Sequence, residues 1–63
     1  MNARRTLRKA LRAGAISHAA HNAYMMVNVN GETVPEAARL LKVDVADIRK
    51  GQIEAAKVLR QDG

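Results

Sequence analysis

Residues 1–63 read as a single all-α domain, a small bundle of about four short helices, on three observations. In residues 3–13 charged and apolar side chains are fully segregated at the helical period of 100° per residue. Helix stop and start signals then recur at Gly14, Ser17, Thr33 and Asp44. Only residues 27–34 alternate apolar and polar in the manner of paired strands. The core available to such a bundle is thin, because 12 of the apolar residues are alanine, with one tyrosine and no Phe or Trp. A chain of this size buries only about 60% of its unfolded surface. It is expected to work as a homodimer or on a larger protein partner.

The first helix spans residues 3–13. Arg4, Arg5, Arg8, Lys9 and Arg12 fall within an arc of about 140°, and Ala3, Leu7, Ala10 and Leu11 occupy the other side. Gly14 ends it, since glycine takes positive φ without a Cβ clash. Ser17 caps a second helix within residues 16–27, which places Ile16, Ala20, Ala23 and Val27 on one face. His18, His21 and Met25 share the opposite, exposed face. Around Asn30-Gly31 the alternating stretch 27–34 reads either as a minimal β-hairpin or as an extended connector. The turn is the firmer half of that expectation, because two strands this short are marginal alone.

Thr33-Val34-Pro35-Glu36 has the form of a capping box, with Thr33 accepting a first-turn amide and Glu36 reaching back to the Thr33 N–H. It opens a third helix from Val34 to Leu41, with Val34, Ala37, Ala38 and Leu41 facing inward. Asp44 caps the fourth helix and Asp47 complements its positive end. Val45, Ile48, Ala55, Ala56 and Leu59 line one face of that helix, and Lys50, Glu54 and Lys57 the other. Gln52 intrudes on the apolar side. Gly51 weakens the helix by roughly 1 kcal/mol against alanine, so it marks a soft point or a break. The last three residues are expected to fray.

Charge divides the chain more sharply than composition does. The net charge is +5, yet residues 1–31 hold five basic residues and no acid, while residues 32–63 hold six of each. That asymmetry points to a polyanionic partner such as nucleic acid. No apolar run approaches the roughly 20 residues of a bilayer span, and the apolar stretch of a secretory signal is missing. A cytoplasmic protein is expected, nucleoid-associated or in an infected host cell. An acid-free, Arg-rich amphipathic start also resembles a mitochondrial transit peptide, but removing it would leave too little chain to fold. Zero cysteines exclude disulfides and thiolate metal sites.

Residues 33–50 resemble the helix-turn-helix unit of bacterial and phage DNA-binding regulators. A short helix carries an internal small residue, Ala38, which lets the next helix cross closely. Val43 stands in the turn, Asp44 at the polar cap and Ile48 at the inward aliphatic position, so that Leu41, Val43 and Ile48 fill the angle between the helices. The resemblance implies that the second helix of the pair enters the major groove. By position it brings Ala46, Asp47, Arg49 and Lys50 near the bases, with Arg39 and Lys42 near phosphates. The sequence departs from the pattern at Lys42, where the family commonly has glycine, and at Gly51, where an aliphatic often continues the core. Asp44 and Asp47 also place carboxylates at the end that approaches DNA. An ordinary antiparallel helix pair with good caps would reproduce much of the same pattern.

The basic face of the first helix suits a phosphate backbone of duplex DNA, and RNA less well, because Tyr24 is the only aromatic on which a base could stack. Its apolar side, Ala3, Leu7, Ala10 and Leu11, is too small for a membrane-surface helix. His18, His21 and Met25 fall short of the ligands a metal site needs. No nucleophile, base and orienting group stand together, and glycine is too sparse for a phosphate loop, so neither an enzyme, a cofactor nor a small-molecule substrate is expected. The reading is a small helix-turn-helix DNA-binding regulator whose first helix supplies phosphate affinity. The alternative is a protein-binding factor that docks on a larger nucleic-acid machine and inhibits or adapts it.

Overall fold

The computed structural model describes residues 2–62, and these form four α-helices with no strand among them. Asn2 opens α1 (Ala3–Arg12), its side-chain oxygen accepting the Arg5 N–H at 3.2 Å. The helix buries Leu7 and Ala10. It ends where Gly14 takes φ +76°, the Gly14 N–H bonding the Leu11 carbonyl and the Ala15 N–H the Ala10 carbonyl at 2.8 Å. This paired closure satisfies the last carbonyls and turns the chain. Ser17 then caps α2 (His18–Tyr24) by accepting the Ala20 N–H.

The alternating stretch 27–34 forms no hairpin. Helical backbone continues past α2 as a π-helical turn, Met25–Val29, in which the Asn30 N–H reaches the Met25 carbonyl at 2.9 Å. Gly31 at φ +82° then ends it, and the Glu32 N–H closes on the Met26 carbonyl. A glycine free to take positive φ serves a hairpin turn and a helix stop equally well, and here it stops a helix. The wide turn also moves Met25 inward, off the exposed face assigned to it. Met25 packs with the cluster around Leu7, while Met26 and Val27 pack with the cluster around Ile48.

Thr33 caps α3 (Val34–Leu41) as its sequence predicts, accepting the Glu36 N–H at 3.2 Å. The Glu36 carboxylate does not return to Thr33; it is held by Arg39 one turn along. Lys42 follows in the left-handed region, φ 59° and ψ 46°, with its N–H on the Arg39 carbonyl and the Val43 N–H on that of Ala38. Helix α4 (Val45–Asp62) begins with the Asp47 carboxylate accepting the Asp44 N–H at 3.1 Å. It runs unbroken through Gly51 and through Gln61, where fraying is expected; Gly63 lies outside the described residues.

Gly51 is a contact, not a soft point. It is buried where α4 crosses α2, and a Cβ placed there would meet Ala23 Cβ at 2.9 Å and Ala20 Cα at 3.1 Å. The core on either side of this crossing is two clusters. Leu7, Ala10, Ile16, Ala20 and Ala55 form one, joining α1, α2 and α4, and Ala23, Ala37, Ala38 and Ile48 form the other, joining α2, α3 and α4. Gln52, the polar intruder, donates its amide to the Asn28 side chain at 2.8 Å and so ties α4 to the π turn. Val45, expected inside, and Val43, expected between the helices, are both 39% exposed. Both stand at the α3–α4 joint.

Candidate nucleic-acid interface

Two basic faces emerge from this packing. On α1 the buried side, Leu7 and Ala10, is pressed into the first cluster, so Arg4, Arg5, Arg8, Lys9 and Arg12 are all exposed. None of the five is ion-paired among the described residues. Arg4, Arg5 and Arg8 surround a shallow hollow with Asn2, and Arg5 and Lys9 form the α1 wall of a groove of about 420 Å³ whose other wall is Val58 and Gln61 of α4.

The second face lies on α4, and residue-by-residue reading of the sequence underestimates it. With Ile48, Gly51 and Ala55 buried, the outward arc carries Ala46, Arg49, Lys50, Ile53, Lys57 and Arg60, all exposed and within about 100° of one another. Pairing Asp47 with Lys50 and Glu54 with Lys57 makes this helix look neutral. The structure engages both acids elsewhere: Asp47 on the Asp44 N–H, and Glu54 on the Ser17 N–H at 2.9 Å and the Ser17 hydroxyl at 3.2 Å. Glu54 thereby becomes the anionic cap of α2, where the helix dipole favours a negative charge. The arc is left with four cations, and Lys57 and Arg60 belong to the face although their place in the sequence, beyond the helix-turn-helix stretch, hides them. The signal that finds them is a wheel drawn over residues 45–62 as one helix. The exchange of partners, spanning 37 residues, has no local signal.

The remaining candidates separate. Arg39 is exposed but forms a two-point ion pair with Glu36, which holds the Glu36 carboxyl below its ordinary value through the hydrogen bond first and the charge second. The same bond raises Arg39. Lys42 is exposed and unpaired, and its left-handed backbone has the geometry that a glycine would supply at this joint. Ala38 and Ile48 meet in one buried cluster across it. Arg49 and Lys50 project from the first turns of α4, on the same arc as Lys57 and Arg60.

Helices α1 and α4 bury their apolar sides in the same cluster, which leaves the charged side of each exposed. The edges of the faces come nearest along the Arg5, Lys9 and Gln61 groove. His18 and His21 sit on α2, and no group of three or more His, Cys, Asp or Glu able to hold a metal occurs among the described residues. None of the described helices is long and apolar enough to cross a membrane. No family model matches this chain, and no curated protein or solved structure matches it either.

Proposed function

We propose that this chain is a small helix-turn-helix DNA-binding protein, a cytoplasmic transcriptional or phage regulator, that sets the outer face of α4 on duplex DNA. The observation that carries the reading is the α3–α4 joint. Lys42 takes the left-handed turn, Ala38 and Ile48 pack across the angle, and Ala46, Asp47, Arg49 and Lys50 are left exposed at the start of α4. Lys57 and Arg60 prolong the same face, and the exposed cations Arg4, Arg5, Arg8, Lys9 and Arg12 of α1 add phosphate affinity. Asp47 keeps its negative charge on this face, its carboxylate oriented by the Asp44 N–H, so it opposes a phosphate at that point. Arg39, by contrast, reaches a phosphate only by giving up Glu36.

Titration of duplex DNA at several salt concentrations tests the reading. Affinity should fall linearly in log K against log salt, with a slope reflecting about three or four phosphate contacts. Arg49→Ala should change sequence preference, and Lys57→Ala should weaken all sequences alike. Absence of binding at about 50 mM salt, or a salt-independent affinity, rules the mechanism out.

A second reading, docking on a larger protein machine, is favoured by the apolar residues left in the open. Ile53 is 57% exposed in the middle of the α4 face, and Leu40, Val43 and Val45 crowd the joint. A stoichiometric protein partner that is retained by an Ile53-containing chain, lost by Ile53→Glu, and found with no shift of DNA would decide for it.

A further inference from the structure

We infer that Ile53 contacts the methyl group of a thymine in the duplex, which makes it a specificity-determining residue at the middle of the α4 face. The inference rests on the reading that α4 binds duplex DNA, and names the base that the apolar centre of that face selects. Its ground is where Ile53 stands among the charges. Around the helix it lies between two pairs of exposed cations, with Arg49 about 40° and Arg60 about 20° to one side, and Lys57 about 40° and Lys50 about 60° to the other. Along the helix it also lies between two pairs, Arg49 and Lys50 before it and Lys57 and Arg60 after it. Ile53 is thus the centre of a four-cornered frame of cations, and it is 57% exposed.

The chemistry of the duplex selects what such a centre meets. Phosphates offer an isoleucine only charged oxygen. In the major groove the base edges present donors and acceptors, and the one apolar substituent among them is the C5-methyl of thymine. The two pairs of cations are about 10–16 Å apart along the helix axis, which matches a major groove about 12 Å wide. With one pair on each rim, Ile53 stands over the floor between them. A second copy of the chain fits the same face poorly, because α4 helices crossing antiparallel at Ile53 would set Arg49 of each against Lys57 of the other.

The test first selects preferred duplexes from a randomised pool, and then replaces each thymine of the preferred site by uracil, which removes the methyl and keeps every hydrogen-bonding group. For the wild-type chain, uracil at one position should weaken binding by about fourfold, the effect of withdrawing one methyl-sized group from an apolar contact. Ile53→Ala should bind the thymine and uracil duplexes equally. Its salt slope should equal that of wild type, since no phosphate contact is lost. The side chain is exposed, so circular dichroism should show the same helix content in the variant.

Three results overturn the proposal. No thymine-to-uracil replacement weakens the wild-type chain, or the pool yields no preferred sequence. Ile53→Ala keeps the full uracil penalty, in which case another side chain meets the methyl. Ile53→Glu loses a protein partner while DNA affinity and preference stay as in wild type, which assigns Ile53 to protein docking. Failure of the chain to bind any duplex at about 50 mM salt is distinct from all of these and removes the α4 reading as well.

Discussion

A Cβ added to Gly51 would stand 2.9 Å from the Cβ of Ala23, closer than two such carbons approach in folded proteins. Alanine normally improves a helix interior over glycine by about 1 kcal/mol. Here the crossing reverses the sign. Gly51→Ala should lower stability by about 1–3 kcal/mol, the usual range for overpacking a well-filled site. At roughly 4–8 °C per kcal/mol for a domain of this size, calorimetry or thermal circular dichroism resolves the change easily. Pairing it with Ala23→Gly should recover part of the loss, and a double variant no better than the single one would show that the contact is not the cause.

Lys42 tests the joint separately from the charge. A non-glycine residue in the left-handed region is held there at about 1–2 kcal/mol. Lys42→Gly relieves that strain while adding freedom to the unfolded chain, so a gain of under about 1 kcal/mol is expected in urea melts. Lys42→Val should lose stability, because a branched side chain tolerates this backbone least. The glycine variant also removes a cation, so if Lys42 meets a phosphate it should bind DNA less tightly while melting higher.

Ser17 and Glu54 form a long-range polar cap. Ser17→Ala removes the acceptor of the Ala20 N–H and should destabilise by about 0.5–2 kcal/mol. Glu54→Gln keeps the shape but withdraws negative charge from the start of α2, a loss of about 0.3–1 kcal/mol. The two changes share an interaction, so a double-mutant cycle in urea should depart from additivity.

The Glu36–Arg39 pair gives a pH-dependent prediction. The Glu36 carboxyl is held below its ordinary value of 4.5, so its small contribution is fully present above that pH and disappears as the pH falls through the lowered value. At neutral pH Glu36→Gln should leave the melting temperature nearly unchanged, because the pair is exposed. It should nevertheless release Arg39, tightening DNA binding and steepening the salt slope by about one contact. An unchanged slope would place Arg39 outside the interface.

The helices, their caps at Ser17 and Thr33, and the stop at Gly14 are legible in the sequence because each is decided within a few residues. So is the basic face of α1, which only a helical period can segregate so completely. Asn30-Gly31 misleads because the property it advertises, positive φ at Gly31, is shared by two kinds of turn. What lies beyond local reach is which acid meets which partner. Glu54 could have balanced Lys57 on its own helix, and only the approach of Ser17 from the start of α2 draws it away. A wheel over residues 45–62 lays out the α4 cations, but only the fold shows that Glu54 turns away from them.

Among the described residues six of the nine buried apolar ones are alanine, and glycine stands where α4 crosses α2. Small side chains bring helix axes to the short end of the usual 8–10 Å separation. The seams consequently act as a gauge for the distance between the helices that carry the charges. Enlarging any one of them would push the arginines and lysines of neighbouring helices apart, so the spacing of charge on the surface is set by methyl groups buried beneath it.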